Sequence, residues 1–174
     1  MKSMQNKPQY IFKYESPLGG MTLASDGECL IGLWFNDQNH FGTTLTGDLE
    51  EQDLPVFKDT RNWLDAYFSG RDPGSIPRIK LEGTDFRKDV WSMLLGIPYG
   101  ELVTYGEIAD MMAKKRGAAH MSAQAVGNAI SHNPILLIIP CHRVIGKDGS
   151  MTGYAGGIER KEKLIMLEKA TSWR

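Results

Sequence analysis

The hydrophobic period of the chain changes once, at RDPGSIPRIKLEG (residues 71–83), and that change limits the folds open to it. Before this stretch apolar residues alternate in short runs, as strands do. After it they recur every three or four positions, as on helices. Its prolines, Pro73 and Pro77, fix φ and withhold backbone donors, so neither pattern can run through it. The chain is therefore expected to be α+β in two parts. Residues 1–80 form an N-terminal antiparallel β-sheet domain with a helix, and residues 81–174 a mostly α-helical, winged-helix-like domain containing a helix-turn-helix.

In the first part, Tyr10 to Glu15 leads into SPLGG, MTLAS alternates, Asp26-Gly27 makes a hairpin-like turn, and CLIGLWF resumes. Three strands in meander order follow from this spacing. Residues 36–53 are polar and read as loop. Phe57, Arg61, Leu64 and Phe68 give a helical stripe, with Trp63 and Tyr67 beside it and Gly70 ending it. In the second part, Thr84 is an N-cap candidate before a helix marked by Phe86, Val90 and Leu94. The next helix carries Tyr105, Ile108 and Met112 on one face, and a basic loop, KKRGAAHM, leads to Ser122, another N-cap candidate. SAQAVGNAISHN is a short helix of small residues stopped by Asn133-Pro134, and a last helix aligns Ile158, Leu164, Ile165 and Glu168. A helix poor in bulky side chains after a short connection fits a helix-turn-helix that reads DNA. Close packing on a neighbouring helix is the commoner use of such a composition.

The stretch NPILLIIPCHRVIG (residues 133–146) places chemistry at the end of an apolar run. Ile135 to Ile139 reads as a buried strand, Pro140 turns the chain, and Cys141, His142 and Arg143 follow. A histidine and a positive charge can stabilise a thiolate. In extended chain, however, consecutive side chains point to opposite faces, so His142 reaches Cys141 only through a local turn or a bridging water. Such a base wants an acceptor on its other ring nitrogen, and Glu168 is the candidate. A solvated carboxylate in a final helical turn is the plainer reading of Glu168. Pattern alone leaves Cys141 open between nucleophile and small buried hydrophobe. The histidines at 40, 120, 132 and 142 lack ligand spacing, and a lone Cys29 near His40 makes no site, so no metal is expected.

Ile135 to Ile139 is the longest apolar run and is too short to span a bilayer. MKSMQNKPQYIF lacks the apolar segment of a secretory leader, so a cytoplasmic location and no membrane partner are expected. Two cysteines make no disulfide framework. The formal charge of −1 divides unevenly, with 8 Lys/Arg against 11 Asp/Glu in residues 1–80 and 12 against 10 in residues 81–174. An anionic partner would meet the second part, notably Lys114, Lys115 and Arg116.

Taken in order, GTDFRKDVWSMLLGIPYGELVTYGEIA, AVGNAISHNPILLIIPCHRVIG and GYAGGIERKEKLIMLE resemble the O6-alkylguanine-DNA alkyltransferases. YESPLGGMTLA, GLWF and YFSGR are similar to that family's β-rich first domain. The resemblance covers most of the chain, and PCHRV between AVG…NP and GYAGG is its most specific part. It implies direct DNA repair by irreversible, stoichiometric transfer of an alkyl group, chiefly methyl, from guanine O6 and in some cases thymine O4. Cys141 would be the acceptor, His142 its base through a water, Glu168 the carboxylate orienting that histidine, and Asn133 the brace of the turn. Tyr105 would help rotate the nucleotide out and protonate guanine N3. Ile130, Val144, Tyr154, Ala155 and Gly156 would line the pocket for the extruded base. The helix from Ser122, with Gln124, Ala125 and Gly127, would enter the minor groove of double-stranded DNA. The damaged base is itself the alkyl donor, so no cofactor is expected, and a monomer suffices.

The chain departs from the family at Gln124, where most members carry an arginine that fills the gap left by the flipped nucleotide. Glutamine keeps hydrogen-bonding capacity but loses charge and reach. The connection around KKRGAAHM is also longer than in the shorter members, as a solvated loop or a phosphate contact. An alternative function is a non-catalytic protein that binds alkyl lesions and signals damage to other pathways. Relatives of that kind replace the acceptor, whereas Cys141 is present here. A transcriptional regulator would need a further domain for which 174 residues leave no room.

Overall fold

The computed structural model describes residues 7–171, so the beginning of MKSMQNKPQYIF lies outside it. Strands β1 (Gln9–Ser16), β2 (Gly19–Ser25) and β3 (Leu30–Phe35) form the expected antiparallel meander. A further strand, β4 (Leu49–Glu51), lies where a loop was expected and runs parallel to β1, giving a sheet ordered β3-β2-β1-β4 that is mixed at one edge. β4 is exposed throughout, so no hydrophobic alternation announces it. β3 buries both of its faces. Leu30, Leu33 and Phe35 join the main core, while Ile31 and Trp34 join Ala24 in a smaller cluster closed by Leu45, with the Phe41 ring 5.5 Å from Trp34. The polar segment after β3 is thus the cover of the sheet's second face.

Helix α1 (Pro55–Phe68) begins with a proline whose missing N–H is no loss in a first turn. It buries Val56, Phe57, Thr60, Trp63, Leu64 and Tyr67, so Trp63 and Tyr67 belong to its inward face, while Arg61 and Phe68 are only half-buried. A core-facing stripe is wider than a single file of residues four apart, and here it takes in those two aromatics as well.

The proline-containing stretch does more than link. Leu30 N donates to Arg78 O at 2.8 Å and Lys80 N to Leu30 O at 3.0 Å, so Ile79 pairs with the open edge of β3. The same edge takes the segment before the cysteine, through Leu33 N to Pro134 O and Leu136 N to Leu33 O, each 2.9 Å. Ile135 to Ile139 is accordingly not a strand. It folds back as a buried turn, with Ile138 N donating to Leu136 O at 2.8 Å, Ile139 N to Ile135 O at 3.1 Å, and Leu137 at φ 70°. Apolar content dictates burial of these side chains but not the backbone path, because β3 offers an edge only to the first of them. Left-handed backbone costs a leucine about 1–2 kcal/mol. Burying the Leu137 side chain, which is 1% exposed, offsets this by a similar amount, about 1.5–3 kcal/mol.

Helices α2 (Asp85–Leu94), α3 (Tyr105–Lys115) and α4 (Ala123–Ser131) pack on one another. Thr84 and Ser122 are the N-caps expected, accepting from Arg87 N at 3.2 Å and Ala125 N at 3.3 Å. Thr104 and Glu107 form a capping box that starts α3 at Tyr105. Lys114 and Lys115 lie in the last turn of α3 and Arg116 caps it, so these cations belong to a helix end, where the dipole favours them, and the loop proper begins after them. A short parallel ladder of β5 (Val103–Thr104) and β6 (Val144–Ile145) ties the start of α3 to the residues just after the thiol. In α5 (Ile158–Ala170) the buried stripe is Lys161, Leu164, Ile165 and Glu168. Ile158 stands outside it at 51% exposure, because the stripe begins one turn later. One apolar core runs from Met21 and Phe57 through Leu94 and Ile130 to Cys141 and Leu164. Among the described residues no helix is long and apolar enough to cross a membrane.

Candidate active site

Cys141, His142 and Arg143 form one turn of 3-10 helix after Pro140 (φ −81°, ψ 61°), one of the two arrangements expected for them. Asn133, just beyond the cap of α4, closes the chain around it. Its Oδ1 accepts from Ile135 N at 2.9 Å, and its Nδ2 donates to Ile139 O at 2.8 Å and to Cys141 Sγ at 3.1 Å. One side-chain amide thus shapes the turn and touches the sulfur.

Cys141 is 2% exposed, and burial pushes its thiol up to about 11 against the opposing pull of the Asn133 hydrogen bond, the Lys161 charge and a backbone N–H. At neutral pH the thiol therefore rests protonated, and to act as a nucleophile it would need a base to take its proton. His142 is fully buried, and burial holds its pKa below the ordinary value of 6.5 in spite of the carboxylate beside it. The resting pair is therefore neutral thiol and neutral imidazole. His142 Nε2 lies 2.5 Å from Glu168 Oε2, which places the ring proton on Nε2 and leaves the lone pair on Nδ1. Nδ1 is buried and has no protein hydrogen-bond partner among the described residues.

Glu168, 4% exposed, is no solvated carboxylate. Oε2 accepts from the Tyr67 hydroxyl at 2.6 Å as well as from His142, and Oε1 accepts from Arg143 Nε at 2.7 Å and Gly100 N at 2.9 Å. Burial alone would raise its carboxyl, but the hydrogen bonds from His142 and Arg143 and the Arg143 charge hold it well below the usual carboxylate range. Arg143 also donates from Nη1 to Ile97 O at 2.7 Å, so its charge is both paired and fixed.

The Tyr105 hydroxyl donates to Thr152 O at 2.8 Å, and burial followed by the nearness of Cys141 pushes it up to about 12. A Cβ on Gly127 would sit 3.8 Å from the Tyr105 ring, which puts the α4 backbone against that ring. Gly153, at φ 85°, passes so near the hydroxyl that a Cβ would come within 2.9 Å of it. Ile130, Val144, Tyr154, Ala155 and Gly156 are all buried, with the Tyr154 ring 6.5 Å from His142. Residues of the first part steady this wall, Asn39 N donating to Ala155 O at 3.2 Å and Phe35 packing where a Gly156 Cβ would lie. Ser122, Gln124 and Ala125 are exposed on the first turn of α4, with Gly127 half-buried behind them. Lys114, Lys115 and Arg116 are exposed at the far end of α3, where Lys115 and Arg116 hold Asp89 of α2 at 3.1 and 2.9 Å.

Three residues of the cluster were not singled out from the sequence. Arg143 was noted only as a neighbouring charge. Tyr67 carried no signal, since it arrives from the first part of the chain. Lys161 did carry one, a charge on the apolar stripe of α5. It is fully buried, its Nζ donates to Val144 O at 2.5 Å and Thr152 O at 3.2 Å, and it lies 5.7 Å from the Tyr105 ring centre. Among the described residues no group of three or more His, Cys, Asp or Glu could hold a metal ion. His40 packs instead on His132, ring centres 4.0 Å apart.

Comparison with known proteins places this geometry in context. Residues 85–170 match the 6-O-methylguanine DNA methyltransferase DNA-binding domain, and residues 10–81 match the 6-O-methylguanine DNA methyltransferase ribonuclease-like domain. A methylated-DNA--protein-cysteine methyltransferase of Mycobacterium tuberculosis is 44% identical over 156 residues, 90% of each chain. One from Haemophilus influenzae is 40% identical over 162 residues, 92% of this chain and 86% of the relative. A crystal structure of Mycobacterium tuberculosis OGT in complex with DNA superposes with a TM-score of 0.81 at 41% identity, covering 95% of this chain and 94% of that one.

Proposed function

The chain belongs to the 6-O-methylguanine DNA methyltransferase family, and on that footing we propose that its buried thiol, histidine and carboxylate carry out direct DNA repair. The protein transfers an alkyl group, methyl above all, from O6-alkylguanine in double-stranded DNA to its own Cys141. The observation that carries this reading is Glu168 bound to Nε2 of a neutral His142, which leaves Nδ1 as the basic atom in a site whose thiol must lose a proton.

The target base leaves the stack, at a cost of a few kcal/mol, and enters the pocket lined by Ile130, Val144, Tyr154, Ala155 and Gly156. The thiol proton passes through a water to Nδ1, and the imidazolium is held by Glu168. Asn133 Nδ2 and the Lys161 charge favour the thiolate. Sγ then forms its bond to the alkyl carbon as the bond from that carbon to O6 breaks, and the electron pair goes to the guanine. Tyr105 leaves Thr152 O and donates its proton towards N3, where charge builds. The thioether has no route back to thiolate, so each protein acts once, as a monomer and without a cofactor. α4 enters the minor groove with Ser122, Gln124, Ala125 and Gly127 at its leading turns. Lys114 meets phosphates, and Lys115 and Arg116 do so by exchanging Asp89 for them.

Intact-mass spectrometry after incubation with an O6-methylguanine duplex tests the reading. The expected result is one added methyl group, located on the peptide containing Cys141. Tight binding with no adduct would instead make the protein a lesion-binding module. Gln124→Arg adds a fixed charge and a longer reach at the exposed second position of α4. Transfer from duplex DNA is expected to quicken about threefold to tenfold, and transfer from the free modified base to stay unchanged. Equal rates on the duplex would remove Gln124 from the flipping step.

A further inference from the structure

One of the four donors to Glu168 comes from the other part of the chain. Tyr67, in the last turn of α1, gives its hydroxyl to Oε2 at 2.6 Å, and that oxygen also takes His142 Nε2; the hydroxyl lies 3.5 Å from Nε2 itself. Tyr67 is fully buried, its ring stacked on Trp63 with centres 5.4 Å apart and edge-on to Phe68 and Tyr99. The hydroxyl is thereby held on the carboxylate. Burial, and after it the charge of Glu168, push its pKa well above the ordinary value, so it remains a donor wherever the protein is folded.

We propose that Tyr67 is a positioning residue for the transfer reaction, setting the basicity of His142 by sharing the carboxylate oxygen that holds the imidazole. The inference rests on His142 being the base. An oxygen that receives a second short hydrogen bond has less negative charge to offer the first donor. The imidazolium formed when His142 takes the thiol proton draws its stabilisation from Oε2, so Tyr67 tempers that stabilisation and keeps the resting ring neutral. His142 is faced by Tyr67 from α1, and by Cys141 and Arg143 from its own turn. Tyr154 faces it from the next loop, and Lys161 and Glu168 from α5. Of these, Tyr67 alone donates to the oxygen that His142 uses.

The test is the pH dependence of the single-turnover transfer rate on an O6-methylguanine duplex, from about pH 5 to about pH 9. His142→Ala identifies the acid limb that belongs to the imidazole. Tyr67→Phe keeps the ring and removes one oxygen. Its limb is expected to move upward by roughly half a pH unit, with the rate below the limb falling about threefold. Val56→Ala loosens the opposite end of the same helix and is expected to lower stability while leaving the limb in place. Tyr67→3-fluorotyrosine has a more acidic hydroxyl, donates more strongly, and should move the limb the other way. That second variant keeps the question answerable if Tyr67→Phe folds poorly. A limb lost in His142→Ala but unmoved by either change at position 67 overturns the role of Tyr67 alone. A limb that survives in His142→Ala overturns the base assignment and this inference with it.

Discussion

Cys141→Ala is expected to leave no radiolabel on the protein from duplex DNA carrying labelled O6-methylguanine, while the duplex is still bound. The loss should be complete, because the amine nearest the thiol is already engaged in hydrogen bonds. Lys161 is the other nucleophilic side chain near the thiol, and its Nζ is occupied by the carbonyls of Val144 and Thr152. Removing one sulfur from a packed site costs about 1 kcal/mol or a little more, too little to unfold a domain of this size. Binding is expected to persist because the groove and phosphate contacts proposed for α3 and α4 would lie away from the sulfur. Cys141→Ser sharpens the point. The hydroxyl is a far weaker acid than even a thiol raised to about 11, so the same base and the same Asn133 donor should yield no transfer on the timescale of the wild type. Residual labelling of either variant would place the acceptor elsewhere.

Glu168→Gln is expected to damage stability and chemistry together. The carboxylate meets four donors with acceptors only, whereas an amide offers one oxygen and turns an N–H towards the other pair. Arg143, buried with its side chain 10% exposed, loses its counter-charge. Breaking one partner out of a buried pair costs about 3–5 kcal/mol. For a chain of this length that lowers the thermal midpoint by roughly 10 °C, readable by calorimetry. The transfer rate should fall by about 10²–10⁴, because the amide N–H facing Nε2 would drive the ring proton to Nδ1 and so remove the base.

Acid reproduces part of this loss in the wild type. His142 has a folded pKa below 6.5 and Glu168 one below 4.5, so for both the unfolded chain binds protons first as pH falls. Their stabilisation is complete above about pH 6.5 and is lost progressively below it, steepening under pH 4.5. Glu168→Gln should flatten the lower portion of that curve.

The features legible in the sequence were local ones. Thr84 and Ser122 announced themselves as caps because a hydroxyl bonding an amide three residues on is a short-range event. The meander from β1 to β3 followed from alternation and turn residues within the same short span. β4 and the folded-back turn at Ile135 to Ile139 did not follow. Each depends on an edge supplied by a distant strand, β1 for the one and β3 for the other. Glu168 illustrates the same limit from the side of charge. Its position on the last helix was visible, but its burial was not, since the donors that make burial tolerable come from Tyr67, Gly100, His142 and Arg143.

The sequence by itself determined where the chemistry would be: a cysteine and histidine in a proline-turned segment, within a motif order shared with alkyltransferases. It also determined the change from strand to helix, because hydrophobic period is a property of neighbouring residues. Only the tertiary structure decided how the thiol is governed. Protonation depends on burial and on charges within a few ångströms, and these are contributed by residues far apart in the chain. Asn133 on the sulfur and Lys161 bonded to the Val144 and Thr152 carbonyls follow from how the second part folds on itself, and Tyr67 sharing Oε2 with His142 follows from packing the two parts into one core.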